Sequence, residues 1–101
     1  MPDTKTRNAI ILNEEDNVAT MLLDVAKGER INMGLGDAIE SITALSDLPF
    51  GHKVARQLIA NKSKILKYGT IIGEATADIQ LGEHVHTQNV VSLRGRGDLS
   101  S

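Results

Sequence analysis

Two of the three histidines in this chain stand two residues apart, in Gly82-Glu83-His84-Val85-His86-Thr87-Gln88-Asn89, just behind a glycine. In an extended strand, side chains at i and i+2 share a face, so both imidazoles can reach one metal ion or one anionic ligand. Near neutral pH such a ring can act as ligand, base or acid. The third histidine, His52, lies between Gly51 and Lys53. A lysine beside a histidine on a tight turn can hold a substrate carboxylate as a compact positive charge. Histidines on exposed strands are common and lysines are mostly solvated, so spacing alone leaves a bland solvated face as the competing reading at both places.

Composition narrows the chemistry. With no cysteine among 101 residues, disulfides and thiolate ligands are excluded, and a bound metal must use histidine nitrogen, carboxylate, carbonyl or water. An iron–sulfur cluster cannot be ligated by this chain alone. Two imidazoles without thiolates would suit iron, manganese, zinc or nickel equally. The balance of 11 basic and 13 acidic residues, a formal net charge of -2, lacks the positive surplus of a nucleic-acid or anionic-membrane binder. One Tyr and one Phe give little for base stacking. No apolar run is long enough to cross a bilayer, and Met1-Pro2-Asp3-Thr4-Lys5-Thr6 has no apolar core of a secretion signal, which predicts a cytoplasmic protein.

The elements that must position these groups read as short strands. Val18 to Val25 is a dense apolar run of strand length, followed by Ala26-Lys27-Gly28-Glu29 and then Arg30-Ile31-Asn32-Met33, predicting strand, turn, strand. The shape returns at Thr76 to His86, where Asp78-Ile79 and Gly82-Glu83 match Asp24-Val25 and Gly28-Glu29. A fainter third copy lies at Leu58 to Ile65, with Lys62 in place of the glycine, so that turn needs another conformation or a left-handed lysine. Because Asp24 has no histidine after its turn, the repeat assigns Thr76 and Asp78 to the fold rather than to catalysis, and Glu29 does the same for Glu83. Helix formers in Val54 to Ile59 predict a single helical turn there. A second short helix over Gly36 to Ile42 is suggested by Asp37 as cap and by the spacing of Ile39, Ile42 and Leu45. The result is one mainly β domain with one or two short helical turns. It comprises an N-terminal segment with a first strand (1–16), the domain proper (17–94) and a flexible tail (95–101), the polar ends being mobile unless a partner orders them. Arg96-Gly97-Asp98 in that tail is a solvated stretch or a dock.

Four motifs in order carry a family resemblance: Pro49-Phe50-Gly51-His52-Lys53-Val54-Ala55, Lys67-Tyr68-Gly69, Ile72-Gly73-Glu74-Ala75-Thr76-Ala77-Asp78-Ile79 and Gly82-Glu83-His84-Val85-His86. Over roughly Asn17 to Arg94 the chain resembles the SAF domain at the N-terminus of altronate and galactarate dehydratases. The resemblance implies a β-clip fold and a small subunit working with a separate large catalytic subunit, as in the related sulfolactate sulfo-lyase. It also implies Fe2+-dependent removal of water from a sugar acid, with Mn2+ as the alternative ion. It raises His84 and His86 to metal ligands and catalytic groups, adds His52 as a catalytic residue, and brings Lys53, with Lys67 behind it, to the substrate. Dehydration of a polyhydroxy acid needs a base for the proton α to the carboxylate and an acid or metal to help the β-hydroxyl leave. Two positions depart from the family: Gln88 where many members carry a third histidine, and Lys62 where glycine is usual. As a metal ligand Gln88 would offer only a weaker amide oxygen, whereas as a group outside the ligand set it would change little.

Two classes of function follow. In the first, the chain is the small subunit of a sugar-acid hydro-lyase, or of a sulfolactate sulfo-lyase, whose site a larger partner completes. In the second it is a non-catalytic carbohydrate-binding or assembly module. In isolation, a dimer or trimer that covers the partner face is expected.

Overall fold

A computed structural model describes residues 6–92 of the chain. The flexible tail expected after residue 94, with Arg96-Gly97-Asp98, lies outside the described residues, as do Met1 to Lys5. Among the described residues nine strands form two sheets: β1 (Ala9–Ile10), β2 (Val18–Met21), β3 (Arg30–Leu35), β4 (Ala38–Thr43), β5 (Lys53–Ala55), β6 (Lys64–Lys67), β7 (Thr70–Ala75), β8 (His84–Val85) and β9 (Val90–Ser92). The larger sheet has the order β4-β3-β1-β2-β5-β8 and the smaller β6-β7-β9. β1 and β3 pair in parallel, and the other strand pairs among the described residues are antiparallel.

No helix occurs among the described residues, which corrects both helical expectations. Gly36 and Asp37 form a two-residue loop that closes β3 on β4 in register Leu35↔Ala38, with Gly36 at a φ of 59°. A leading glycine is what such a hairpin turn requires. The Ile39 and Ile42 spacing that suits a helix is met here by a strand along the sheet edge. The Val54 to Ile59 segment splits into the end of β5 and an irregular run to Ile59, because Val54 and Ala55 pair with β2 and are fully buried.

Alternation along two central strands divides the interior. On β2, Val18 packs with Ala55, Ile59, Ile65, Ile79 and Val85, whereas Ala19 and Met21 pack with Ile31, Met33, Leu48 and Val54. Neighbouring residues of an extended strand face opposite ways, so β2 and β5 wall two cores at once. Asn17, nearly buried, ties the sheets together: its Nδ2 donates to the carbonyl of Lys64 (2.8 Å) and its Oδ1 accepts from Leu66 N (2.8 Å). Asp16, 1 % exposed, accepts from the N–H groups of Tyr68 and Gly69, the two left-handed residues of the β6–β7 hairpin turn. Tyr68 itself is 68 % exposed.

The repeat runs further than the sequence reading: a fourth copy occupies Asp47 to Val54. Each copy carries a four-residue turn whose last N–H donates to the first carbonyl: Glu29 to Ala26, His52 to Pro49, Ser63 to Ala60 and Glu83 to Gln80. The third residue of each has positive φ: Gly28 (93°), Gly51 (85°), Lys62 (74°) and Gly82 (88°). The lysine is thus left-handed, one of the two alternatives stated above. The turns associate in pairs through reciprocal backbone bonds, Val25 with Leu48 and Ile59 with Ile79. Asp24 accepts from Phe50 N, Asp47 from Lys27 N and Asp78 from Asn61 N, so these aspartates belong to the fold, each pinning the turn of its partner copy. Leu58 stands in the fourth aspartate's place.

Candidate metal centre on the β5–β8 edge

Strand pairing brings the three histidines together. β8 forms the edge of the larger sheet and runs antiparallel to β5 in register Lys53↔Val85 and Val54↔His84. Carried one residue outward, that register sets His52 opposite His86, with His84 diagonal to His52 on the same face. The ring centroids follow this order: His52–His86 4.4 Å, His52–His84 5.1 Å and His84–His86 5.2 Å, with the rings stacked and their planes nearly parallel. The shortest polar contact joins His52 Nδ1 to His84 Nε2 at 2.9 Å. One nitrogen from each ring lies within 4.8 Å of the others. The sequence reading took His84 and His86 as the ligand pair; the geometry adds His52 to them.

The backbone beneath the rings is fixed locally. The turn before β8 needs Gly82, which combines a φ of 88° with a backbone that touches Thr43, so a Cβ there would collide with the Thr43 carbonyl. After His86 the chain folds back. Asn89, 5 % exposed, accepts from His86 N (3.0 Å) and donates to the His84 carbonyl (2.8 Å), which fixes the spacing of both histidines along the chain. Gln88 Nε2 approaches the same carbonyl at 3.3 Å and His84 Nδ1 at 3.2 Å. Neither Asn89 nor the approach of Gln88 to His84 was foreseen; an Asn three residues after a histidine, in a run with no apolar residue, was the available sign of a side-chain-closed turn.

Burial lowers the His84 pKa, and the neighbouring His52, His86 and Lys53 act in the same direction. The neutral, ligating form of that ring is therefore favoured. Lys53 faces the other side of the β5–β8 pair. It lines a cavity of about 290 Å³ together with His86, Thr87 and Ser92, over an apolar floor of Ile65, Ile72, Val85 and Val90. Burial lowers its pKa, with a further push from Lys67. Lys67 itself extends over the Tyr68 ring, 5.9 Å from its centre, and does not line the cavity. Of the five expected site residues, the structure gathers the three histidines, sets Lys53 beside them and leaves Lys67 outside.

The donor set fits a divalent transition metal. Metal–imidazole bonds of about 2.0–2.1 Å place adjacent donors about 3 Å apart, and the His52–His84 contact already has that separation. Three neutral nitrogens suit iron, manganese, zinc or nickel, and they would leave further coordination positions open to a substrate oxygen.

Comparisons with known proteins agree with this architecture. The family model described as the altronate/galactarate dehydratase SAF domain matches residues 7–93. Altronate dehydratase of Bacillus subtilis (strain 168) is 41% identical over 83 residues, which are 82% of this chain and 16% of that protein. Altronate dehydratase of Escherichia coli (strain K12) is 40% identical over 74 residues, 73% of this chain and 14% of the relative. The (2R)-sulfolactate sulfo-lyase subunit alpha of Paracoccus pantotrophus is 40% identical over 53 residues, 52% of this chain and 79% of that subunit. The chain therefore spans only about a sixth of the altronate dehydratases it matches but most of the length of the sulfo-lyase subunit. Its sequence and its all-strand fold together make this chain a member of the altronate/galactarate dehydratase SAF domain family, whose relatives are lyases.

Proposed function

We propose that this chain is the small subunit of a sugar-acid hydro-lyase of the altronate or galactarate type, acting with a separate large catalytic subunit, and that His52, His84 and His86 hold its Fe2+. The observation that carries this reading is the convergence of three imidazoles on one face of a sheet edge. A small-subunit arrangement is supported by the sulfo-lyase subunit alpha, most of whose length this chain matches.

An ion held by the three rings would supply Lewis-acid polarisation of the departing β-hydroxyl. Lys53, in the adjoining cavity, holds the substrate carboxylate, and His86, which lines the same cavity, faces the reacting carbons. The proton α to the carboxylate goes to a base; its C–H electron pair forms the new double bond as the β-carbon–oxygen bond breaks, and the hydroxyl leaves as water on gaining a proton. The enol so formed rearranges to a 2-keto-3-deoxy acid. Below the rings, the Asn89 and Ser46 contacts to the His84 backbone hold the imidazoles while these charges move.

The test is reconstitution. This chain and the large subunit are expressed together and separately, loaded anaerobically with Fe2+, and assayed for 2-keto-3-deoxy acid from altronate and galactarate and for sulfite from (2R)-sulfolactate. Turnover on a sugar acid that requires both chains and is lost in the His84→Ala, His86→Ala double variant supports the proposal. Sulfite release alone would move the chain to the sulfo-lyase reading, favoured by the extent of its match to subunit alpha. Undiminished turnover by the large subunit by itself would make this domain a binding or assembly module.

A further inference from the structure

Gln88 occupies a position from which it governs His84. Its Nε2 lies 3.3 Å from the His84 carbonyl and 3.2 Å from His84 Nδ1. A carbonyl oxygen can only accept, so the amide end facing it is the NH2 group. The reverse orientation would set two oxygens against each other, at a carbonyl that already accepts from Asn89. With one hydrogen on that carbonyl, the second is left for Nδ1, which must then present a lone pair. In a neutral imidazole the proton is consequently on Nε2. That atom is 2.9 Å from His52 Nδ1, to which it donates. A directed chain results, from the Gln88 amide through the His84 ring to His52.

We infer that Gln88 is a positioning residue that locks His84 in the Nε2–H tautomer and thereby weakens metal binding at the three imidazoles. A ring ligates through a bare nitrogen. In the locked state His84 has its proton on the nitrogen that faces His52, and Gln88 engages the other. For His84 to join a metal, either the amide must withdraw from Nδ1 or the proton must move there against an amide donor. The other two rings carry no such contact with Gln88. The His52 Nδ1 lone pair is taken up by the same Nε2–H, so an ion binds by displacing this hydrogen-bonded chain, which makes the centre an exchangeable one. This inference rests on the proposed metal centre for its effect on affinity but not for the tautomer, which belongs to the metal-free protein.

The experiment uses the full chain uniformly labelled with 15N. With only three histidines, long-range 1H–15N correlation spectra resolve the ring nitrogens, and single histidine substitutions assign them. His84 is expected as the Nε2–H form in the metal-free protein. Gln88→Glu, an acceptor, should turn it to the Nδ1–H form. Gln88→Met, which removes the donor without adding charge, should give a mixture and bind Fe2+ about tenfold more tightly by anaerobic calorimetry. Gln88 is exposed, so both variants should fold; wild-type backbone amide spectra check this. An Nδ1–H form in the native protein, a tautomer unmoved in Gln88→Glu, or equal Fe2+ affinities for the native and Gln88→Met chains would each overturn the inference. If the tautomers behave as stated but no variant binds Fe2+, the proposed metal centre and the affinity effect fall, while the hold of Gln88 on His84 stands.

Discussion

The two pairs of turns use one backbone device with different side chains. In the first pair, both turns have their glycine, and Asp24 and Asp47 each cap the opposite turn. In the second pair, only one turn has its glycine and only Asp78 caps, because Lys62 and Leu58 replace the other two. The last turn residue differs too. Glu29 and Glu83 reach back to accept from the first N–H of their own turns, at Ala26 and Gln80. At that place the second turn has His52, whose ring is free of such a duty and joins His84 instead. The comparison teaches that the site arises where one member of each pair meets the other across β5 and β8, at a position where a capping carboxylate has given way to a ring.

The largest effect should come from the rings. His52→Ala is expected to reduce turnover of the assembled lyase by at least about 100-fold, the usual scale for a lost acid–base or ligand group. Glu29→Ala, the same turn position in the first copy, should leave turnover unchanged. Equal losses in steady-state assays of the two variants would break the comparison.

Next comes glycine against glycine. Both Gly28 and Gly82 have positive φ, but a Cβ at Gly28 meets nothing while one at Gly82 collides with the Thr43 carbonyl. Gly28→Ala should cost about 1 kcal/mol and Gly82→Ala roughly 3 kcal/mol or more in urea unfolding. A smaller effect of opposite sign is expected in the second pair. Lys62→Gly should stabilise the chain by about 0.5–1 kcal/mol, since it relieves a left-handed lysine. An unchanged or lower urea midpoint would show that Lys62 is held there at no cost.

The smallest effect depends on acid. Arg56 grips Glu40 through two hydrogen bonds, at 2.9 and 2.6 Å, and also donates to the carbonyls of Glu14 and Asp16. The hydrogen bond from Arg56 is the main cause that holds the Glu40 pKa below its ordinary value, against a partial desolvation. A folded-state pKa below the unfolded one contributes stability that is complete above the ordinary carboxylate range and is lost as pH falls through the depressed value. Solvent screens the pair because the Glu40 side chain is 41% exposed, so the slope is shallow. Glu40→Gln should flatten that part of the stability curve between neutral and acid pH, and an unchanged slope would assign it to other carboxylates.

Much of this was legible in the residues. The repeat of Asp24-Val25 and Gly28 in Asp78-Ile79 and Gly82 marked the turns, and it separated structural aspartates from chemistry. The i, i+2 rule set His84 and His86 on one face. What the sequence hid was pairing at a distance. Nothing local says that β5 lies beside β8, so the joining of His52 to the other two required the register. The fourth copy was masked by Pro49 and Phe50 within its turn. The β4 strand was masked because Ile39 and Ile42 satisfy a helical stripe, although Gly36-Asp37 is also a hairpin signal. For Gln88 the residue type left two roles open, a weak amide-oxygen ligand or a group outside the ligand set, and only the three-dimensional arrangement brings its amide within reach of the His84 ring.

The histidine strand is two residues long and ends a sheet. Among the described residues its outer side is met by the side chains of Ser46, Gln88 and Asn89 and by no further strand, so a second protein body can approach the imidazoles without disturbing either core. Such a rim is portable: a module of this shape can be part of a long chain or make up most of a short one. The relatives include both arrangements, with the matched segment forming 16% of one protein and 79% of another.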